Sequence, residues 1–144
     1  MKINQAGLSL IKEFEGLRLT AYKDPVGIWT IGWGHTGKVN GKYIAKGLKI
    51  TEKQAEKLLL GDIKRFENHV NVYHKKYKFN ENEFSALVSF AYNIGNIKRL
   101  TANGTRSKSV IANKIPLYCK AGGKKLNGLV RRRNKERTLF LKGV

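Results

Sequence analysis

Residues 15–36 read EGLRLTAYKDPVGIWTIGWGHT. This stretch holds two carboxylates, Glu15 and Asp24, a hydroxyl, Thr30, and a glycine-rich run, Gly32-Trp33-Gly34-His35. The chain as a whole has 10 Asp and Glu against 29 Lys and Arg, so two acids placed around one turn stand out. Two carboxylates in different surroundings can divide acid and base work between them.

Upstream, Asn4 reads as the cap of a short helix, with Ile3 just ahead of it. Leu8, Ile11 and Glu15 follow at i, i+3 and i+7 and share one face, while Glu13 points elsewhere. Gly16 is placed to end the helix. Glu15 then sits in the last turn, at the edge of an apolar face. Desolvation and the negative end of the helix dipole both favour a protonated carboxyl there, the form a general acid requires.

Downstream, Leu19 to Lys23 and Ile28 to Gly34 read as the strands of a hairpin. Asp24-Pro25-Val26-Gly27 supplies its turn, with Asp first, Pro second and Gly fourth. On the second strand Trp29, Ile31 and Trp33 point one way and Ile28, Thr30 and Gly32 the other. The Thr30 hydroxyl is thereby placed within reach of the Asp24 side of the turn, and Gly32 and Gly34 leave backbone open to a ligand. Taken singly, each residue has a plain alternative: a turn aspartate, an ordinary strand threonine, a solvated glutamate at a helix end. Their combination is what singles them out.

The run FEGLRLTAYKDPVGIWTIGWGHT resembles, without a gap, the N-terminal motif of the phage-type lysozymes or endolysins, glycoside hydrolase family 24. That motif is a helix ending in Glu-Gly, then Tyr-x-Asp, a Gly turn, and Thr-Ile-Gly-x-Gly-His. Ala91-Tyr92-Asn93-Ile94-Gly95 and the run from Ala121 to Arg133 extend the similarity over essentially the whole chain. The resemblance implies a peptidoglycan hydrolase that cuts the β-1,4 bond between N-acetylmuramic acid and N-acetylglucosamine. Glu15 would be the general acid; Asp24 and Thr30 would position the attacking water. Inversion is favoured, with carboxyls roughly 6.5–9.5 Å apart, against about 5–5.5 Å for a retaining enzyme. Gly32, Asn93 and Arg132 are the expected substrate-binding residues. By the same resemblance Arg132 approaches Glu15 from the C-terminal helix, where a cation would oppose the effect of burial. Asp62 would pair with His35 and brace the sheet.

The remaining pattern is mostly helical. Thr51-Glu52-Lys53-Gln54 is a capping box that opens a helix to about Val70. Asn80 with Glu83 opens another, whose apolar stripe is Phe84, Leu87, Val88, Ala91 and Tyr92 and which Gly95 stops. Ser107 to Ile115 reads as a short helix before Pro116. Asn127 reads as the cap of the last, which runs to about Leu141. Tyr43 to Ile50 reads as a third strand. The expected fold is α+β and lysozyme-like, a single domain over 1–144. It comprises a β-rich lobe near 15–50, a linking helix near 51–70, and a helical lobe near 71–144 that includes the N-terminal helix, with a cleft between the lobes.

Composition agrees. One cysteine, Cys119, excludes an internal disulfide. No CxxC or HExxH pattern implies a metal, and no cofactor is expected. No segment approaches the ~20 apolar residues of a membrane span, and the N-terminus lacks the features of a signal peptide. The expected protein is a monomer made in the host cytoplasm, acting at the wall once a separate protein has permeabilised the membrane. The net charge of +19 fits attraction to an anionic wall. Its rivals are nucleic-acid binding, for which no recognition motif or interleaved aromatics are found, and membrane disruption by a cationic helix. A non-enzymatic cationic binder of wall, membrane or nucleic acid is thus the alternative class.

Overall fold

The computed structural model describes residues 1–143 and divides into two compact units, 1–14 with 65–143 and 15–64. Helix α1, Gln5–Glu15, starts where expected: the Asn4 side chain accepts the Gly7 N–H at 3.0 Å. Its buried face is Gly7, Leu10 and Ile11 rather than the Leu8–Ile11–Glu15 line. Gly7 is the residue hydrophobic patterning overlooks, because its burial comes from having no side chain. A Cβ there would fall 2.7 Å from the Ser85 Cβ.

The 15–64 unit carries the strands. β1, Arg18–Lys23, pairs antiparallel with β2, Trp29–Gly32, which pairs with β3, His35–Thr36. The expected second strand therefore stops two residues early. Gly32 and Gly34 have φ of 68° and 80°, a region glycine enters freely, and they turn the chain so that Ile31 faces His35. Lys38–Val39 (β4) and Lys42–Tyr43 (β5) form a second hairpin over Asn40-Gly41, both at positive φ, as a two-residue turn of this kind requires. The expected strand Tyr43–Ile50 does not continue past Tyr43: Gly47 adopts φ 89°, and among residues 44–50 only Lys49 makes a bridge, to Thr20. Ile31, Trp33, Val39, Ile44, Ile50, Ala55, Leu59 and Ile63 are its buried apolar residues.

Helix α2, Glu52–Tyr77, has both halves of the expected capping box. Gln54 N–H donates to Thr51 Oγ1 at 3.1 Å, and Thr51 N–H to Gln54 Oε1 at 2.8 Å. It runs a further seven residues beyond Val70, since nothing between Asn71 and Tyr77 breaks it. Lys75 and Lys76 complement the dipole of its last turn, and Lys78 leaves the helix at φ 51°.

In the other unit α3, Glu81–Ile94, has the expected Asn80–Glu83 capping box and ends at Gly95 with φ 111°. It is buried on every side from Asn82 to Ala91, not along one stripe. Two serines, Ser85 and Ser89, hide this in the sequence; both are fully buried. A short α4, Lys98–Thr101, precedes α5, Lys108–Lys114, which Ser107 caps at 3.3 Å and a 3₁₀ turn, Ile115–Leu117, continues. β6, Lys120–Ala121, and β7, Lys124–Lys125, form a hairpin over Gly122-Gly123. α6 spans Asn127–Leu141; Leu126, not Asn127, occupies the cap position, without a side-chain bond.

α6 lies against α3 through charge. Glu136 is fully buried, and its Oε2 accepts from Ser89 Oγ at 2.6 Å and Arg132 Nε at 3.3 Å. Its Oε1 lies 2.7 Å from Arg133 Nε, a charge contact without hydrogen-bond alignment. Burial raises the Glu136 carboxyl above its ordinary value, while Arg133, Arg132 and Ser89 work against that rise. Arg133 also donates to Asn93 Oδ1 at 2.8 Å.

α2 meets α4 through His69, whose Nε2 accepts the Ile97 N–H at 2.9 Å. Protonation would turn that acceptor into a donor. Burial, then the charge of Lys98, hold His69 below its ordinary value of 6.5. The unfolded chain therefore binds this proton more readily, and stability must fall as pH drops below about 6.5. His69→Gln keeps an acceptor and does not titrate. Urea denaturation between pH 7.5 and 5 is expected to show a shallower loss in this variant; parallel curves would remove His69 from the account.

Candidate active site

Glu15, Asp24 and Thr30 all lie in the 15–64 unit. Glu15 is the last residue of α1 and is half-buried, and Gly16 turns the chain away from it at φ 71°. Gly34, in the turn between β2 and β3, comes close: a Cβ at Gly34 would fall 2.7 Å from Glu15 Oε1. The turn that redirects β2 into β3 thus also faces the Glu15 carboxyl.

Asp24 folds its own loop. Its Oδ1 accepts the Val26 N–H at 3.0 Å and the Ile28 N–H at 2.8 Å. Main-chain bonds close the turn around it, from Gly27 N–H to Asp24 O and from Asp24 N–H to Ile28 O, each at 2.9 Å. The other carboxylate oxygen, Oδ2, has no hydrogen-bond partner among the described residues. Thr30 is 4% exposed, and its hydroxyl donates to the Ile28 carbonyl at 2.9 Å. Asp24 and Thr30 are therefore fastened to the same residue, one at the N–H and one at the C=O of Ile28. The Thr30 proton is committed to that carbonyl, so the lone pairs of Oγ1 are what it can offer a ligand.

Beside this group His35 Nδ1 lies 2.7 Å from Asp62 Oδ2 and Nε2 lies 2.8 Å from the Lys38 carbonyl. The ring ties α2 to β3 and to the start of β4, the bracing that the resemblance implies. Of the three expected substrate-binding residues, two lie away from solvent. Gly32 is buried, and a Cβ there would meet Ala55 at an ordinary 3.5 Å; its glycine identity answers to the positive φ of 68°. Arg132 is 3% exposed among Glu136 and Ser89. Asn93 is exposed; its oxygen is taken by Arg133, and its amide hydrogens have no acceptor among the described residues. Ile28 was not singled out in the sequence, and no side-chain signal could have done so, because it acts through its peptide groups. Among the described residues no cluster of His, Cys, Asp or Glu could hold a metal, and no helix is long and apolar enough to cross a membrane.

The family model for phage lysozyme matches residues 12–136. The endolysin of Lactococcus phage c2 is 48% identical, over 100% of this chain and 62% of its own length. A solved endolysin from Escherichia coli O157:H7 phage FAHEc1 superposes with a TM-score of 0.83 at 40% identity, over 100% of this chain and 96% of that one. The muramidase domain of SpmX from Asticaccaulis excentricus gives 0.82 at 35% identity, covering 99% of each chain. The chain spans 62% of the length of the Lactococcus phage c2 endolysin and 55% of that of an endolysin of Bacillus phage B103. The architecture is lysozyme-like α+β.

The Asp24 geometry separates two kinds of loss. Asp24→Ala removes both acceptor bonds and is expected to cost about 1–2 kcal/mol of stability. Asp24→Asn keeps an acceptor oxygen and is expected to stay within about 0.5 kcal/mol of wild type while losing the charge. Equal denaturant midpoints for the two variants would mean that the carboxylate does not hold the turn.

Proposed function

The chain belongs to the phage lysozyme family, and we propose that it is a peptidoglycan hydrolase cleaving the β-1,4 bond between N-acetylmuramic acid and N-acetylglucosamine. Its relatives include endolysins and a muramidase domain, which supports that substrate and that bond. The observation that carries the chemistry is the shared anchor at Ile28. It fastens the Asp24 carboxylate and the Thr30 hydroxyl to one residue, which supports their acting together.

In this reading one water donates one hydrogen to Asp24 Oδ2 and the other to Thr30 Oγ1. Its lone pair is left for the anomeric carbon. Asp24 takes the proton as the C–O bond forms, and Glu15, protonated at the start, gives its proton to the departing glycosidic oxygen. Fixing the water beforehand removes orientational entropy from the barrier. A water between Asp24 and the sugar makes the reaction inverting. Asn93 contributes its amide hydrogens to a sugar oxygen. Gly32 turns β2 toward β3, and in the other unit Arg132 holds α6 to α3. The enzyme works as a monomer at the cell wall.

Glu15→Gln should abolish turnover of purified peptidoglycan while leaving the fold intact, read by reducing-end release and circular dichroism. Retained turnover would remove Glu15 from the acid role and favour a cationic binder that disperses walls by charge. Thr30→Ser keeps both hydroxyl functions and should retain most activity, whereas Thr30→Val should lose roughly 10²-fold or more, the scale of a lost positioning group. Similar rates for the two would reduce Thr30 to a strand residue. Anomer-resolved NMR of the first product decides between inversion and retention.

A further inference from the structure

On the 65–143 unit a pocket of about 270 Å³ is lined by Arg99, Arg106, Lys114, Leu117 and Tyr118. Three cations line one concavity, and no carboxylate pairs with any of them among the described residues. Arg106 is held in place: its Nη1 donates to the Arg99 carbonyl at 3.2 Å and the Leu100 carbonyl at 3.0 Å, while its backbone carbonyl accepts from the Tyr77 hydroxyl at 2.6 Å. Among the described residues its Nε and Nη2 have no acceptor, nor do the Arg99 guanidinium, the Lys114 ammonium or the Tyr118 hydroxyl. The Tyr118 ring packs against Phe90 in a T-shaped contact, with centroids 5.1 Å apart.

A concave wall made of donors without a single acidic acceptor is built for an anion. One anchored guanidinium beside a second guanidinium and an ammonium matches the several oxygens of a phosphate group better than the two of a carboxylate. We propose that this pocket binds a phosphodiester group of an anionic wall polymer and retains the enzyme on the wall independently of Glu15, Asp24 and Thr30. Naming the wall as the source of the phosphate rests on the hydrolase reading; the anion site itself does not. Nucleic acid is disfavoured because the lining residues include a single aromatic ring, already packed against Phe90, rather than a series of stacking platforms.

The test titrates the chain with soluble poly(glycerol phosphate) and with inorganic phosphate near 0.15 M salt, by calorimetry and amide NMR. Shifts are expected around Arg99, Arg106, Lys114 and Tyr118. The double variant Arg99→Gln/Lys114→Gln should weaken polymer binding about tenfold or more. Lys75→Gln/Lys76→Gln, which removes the same charge elsewhere, should weaken it about threefold at most. Arg106 is left in place because it caps α4. Hydrolysis of polymer-free peptidoglycan fragments should be unchanged in both variants, so an inactive wild type would sink the hydrolase reading while leaving the binding result to stand. Equal weakening by the two pairs would overturn the pocket in favour of a diffuse field. A single-stranded oligonucleotide bound as tightly, and weakened as much by the pocket variant, would overturn the wall polymer as ligand.

Discussion

The carboxylate of Glu136 is the point on which the larger unit depends. It is a fully buried acid shared by two buried guanidinium groups and a buried serine hydroxyl. Burying charge is costly, and a pair of this kind contributes less to net stability than to the uniqueness of the packing. Here it permits one relation between α3 and α6. Successive helical residues point about 100° apart, so of Arg131, Arg132 and Arg133 only two can turn inward together. The third stays exposed beside the Phe14 ring, 5.8 Å from its centre. A basic run that looks like surface charge is thus mostly core.

The 15–64 unit is held differently, by bonds between residues close in sequence. Asp24 and Thr30 meet on Ile28, and Gly34 comes up against Glu15. The longer reaches run from Leu19 and Ala21 to Ile50 and Leu48, and from His35 to Asp62, which fastens the strands to α2. The proposed chemistry therefore sits in a segment whose geometry is set by turns and short pairings, and the buried ionic cluster supports the other unit.

Much of this was legible in the sequence, because caps and stops act locally. Asn4, Thr51, Asn80 and Ser107 cap helices through their own side chains, and Gly16 and Gly95 end two of the same helices at positive φ. The Asp24 turn could be read for the same reason. What could not be read depends on contacts distant in the chain or on the absence of atoms. Gly32 and Gly34 read as part of an open strand, whereas their backbone folds β2 back as β3. Gly7 carries no pattern at all. Ser85 and Ser89 interrupt the polarity of α3 because their hydroxyls serve Asn4 and Glu136 respectively. Asn127 has the right chemistry for a cap but stands one residue inside the helix. For the candidate site, the residue types were visible; the peptide that joins Asp24 to Thr30 was not.

Gly34 constrains how this segment can change over time. The atom it lacks would overlap the Glu15 carboxyl, and its φ of 80° suits no side chain well. No single replacement there is a small step. A lineage that altered this position would have to accept a strained backbone and a displaced Glu15 carboxyl in the same event, which makes it a fixed point of drift while the exposed basic residues around it remain free to wander.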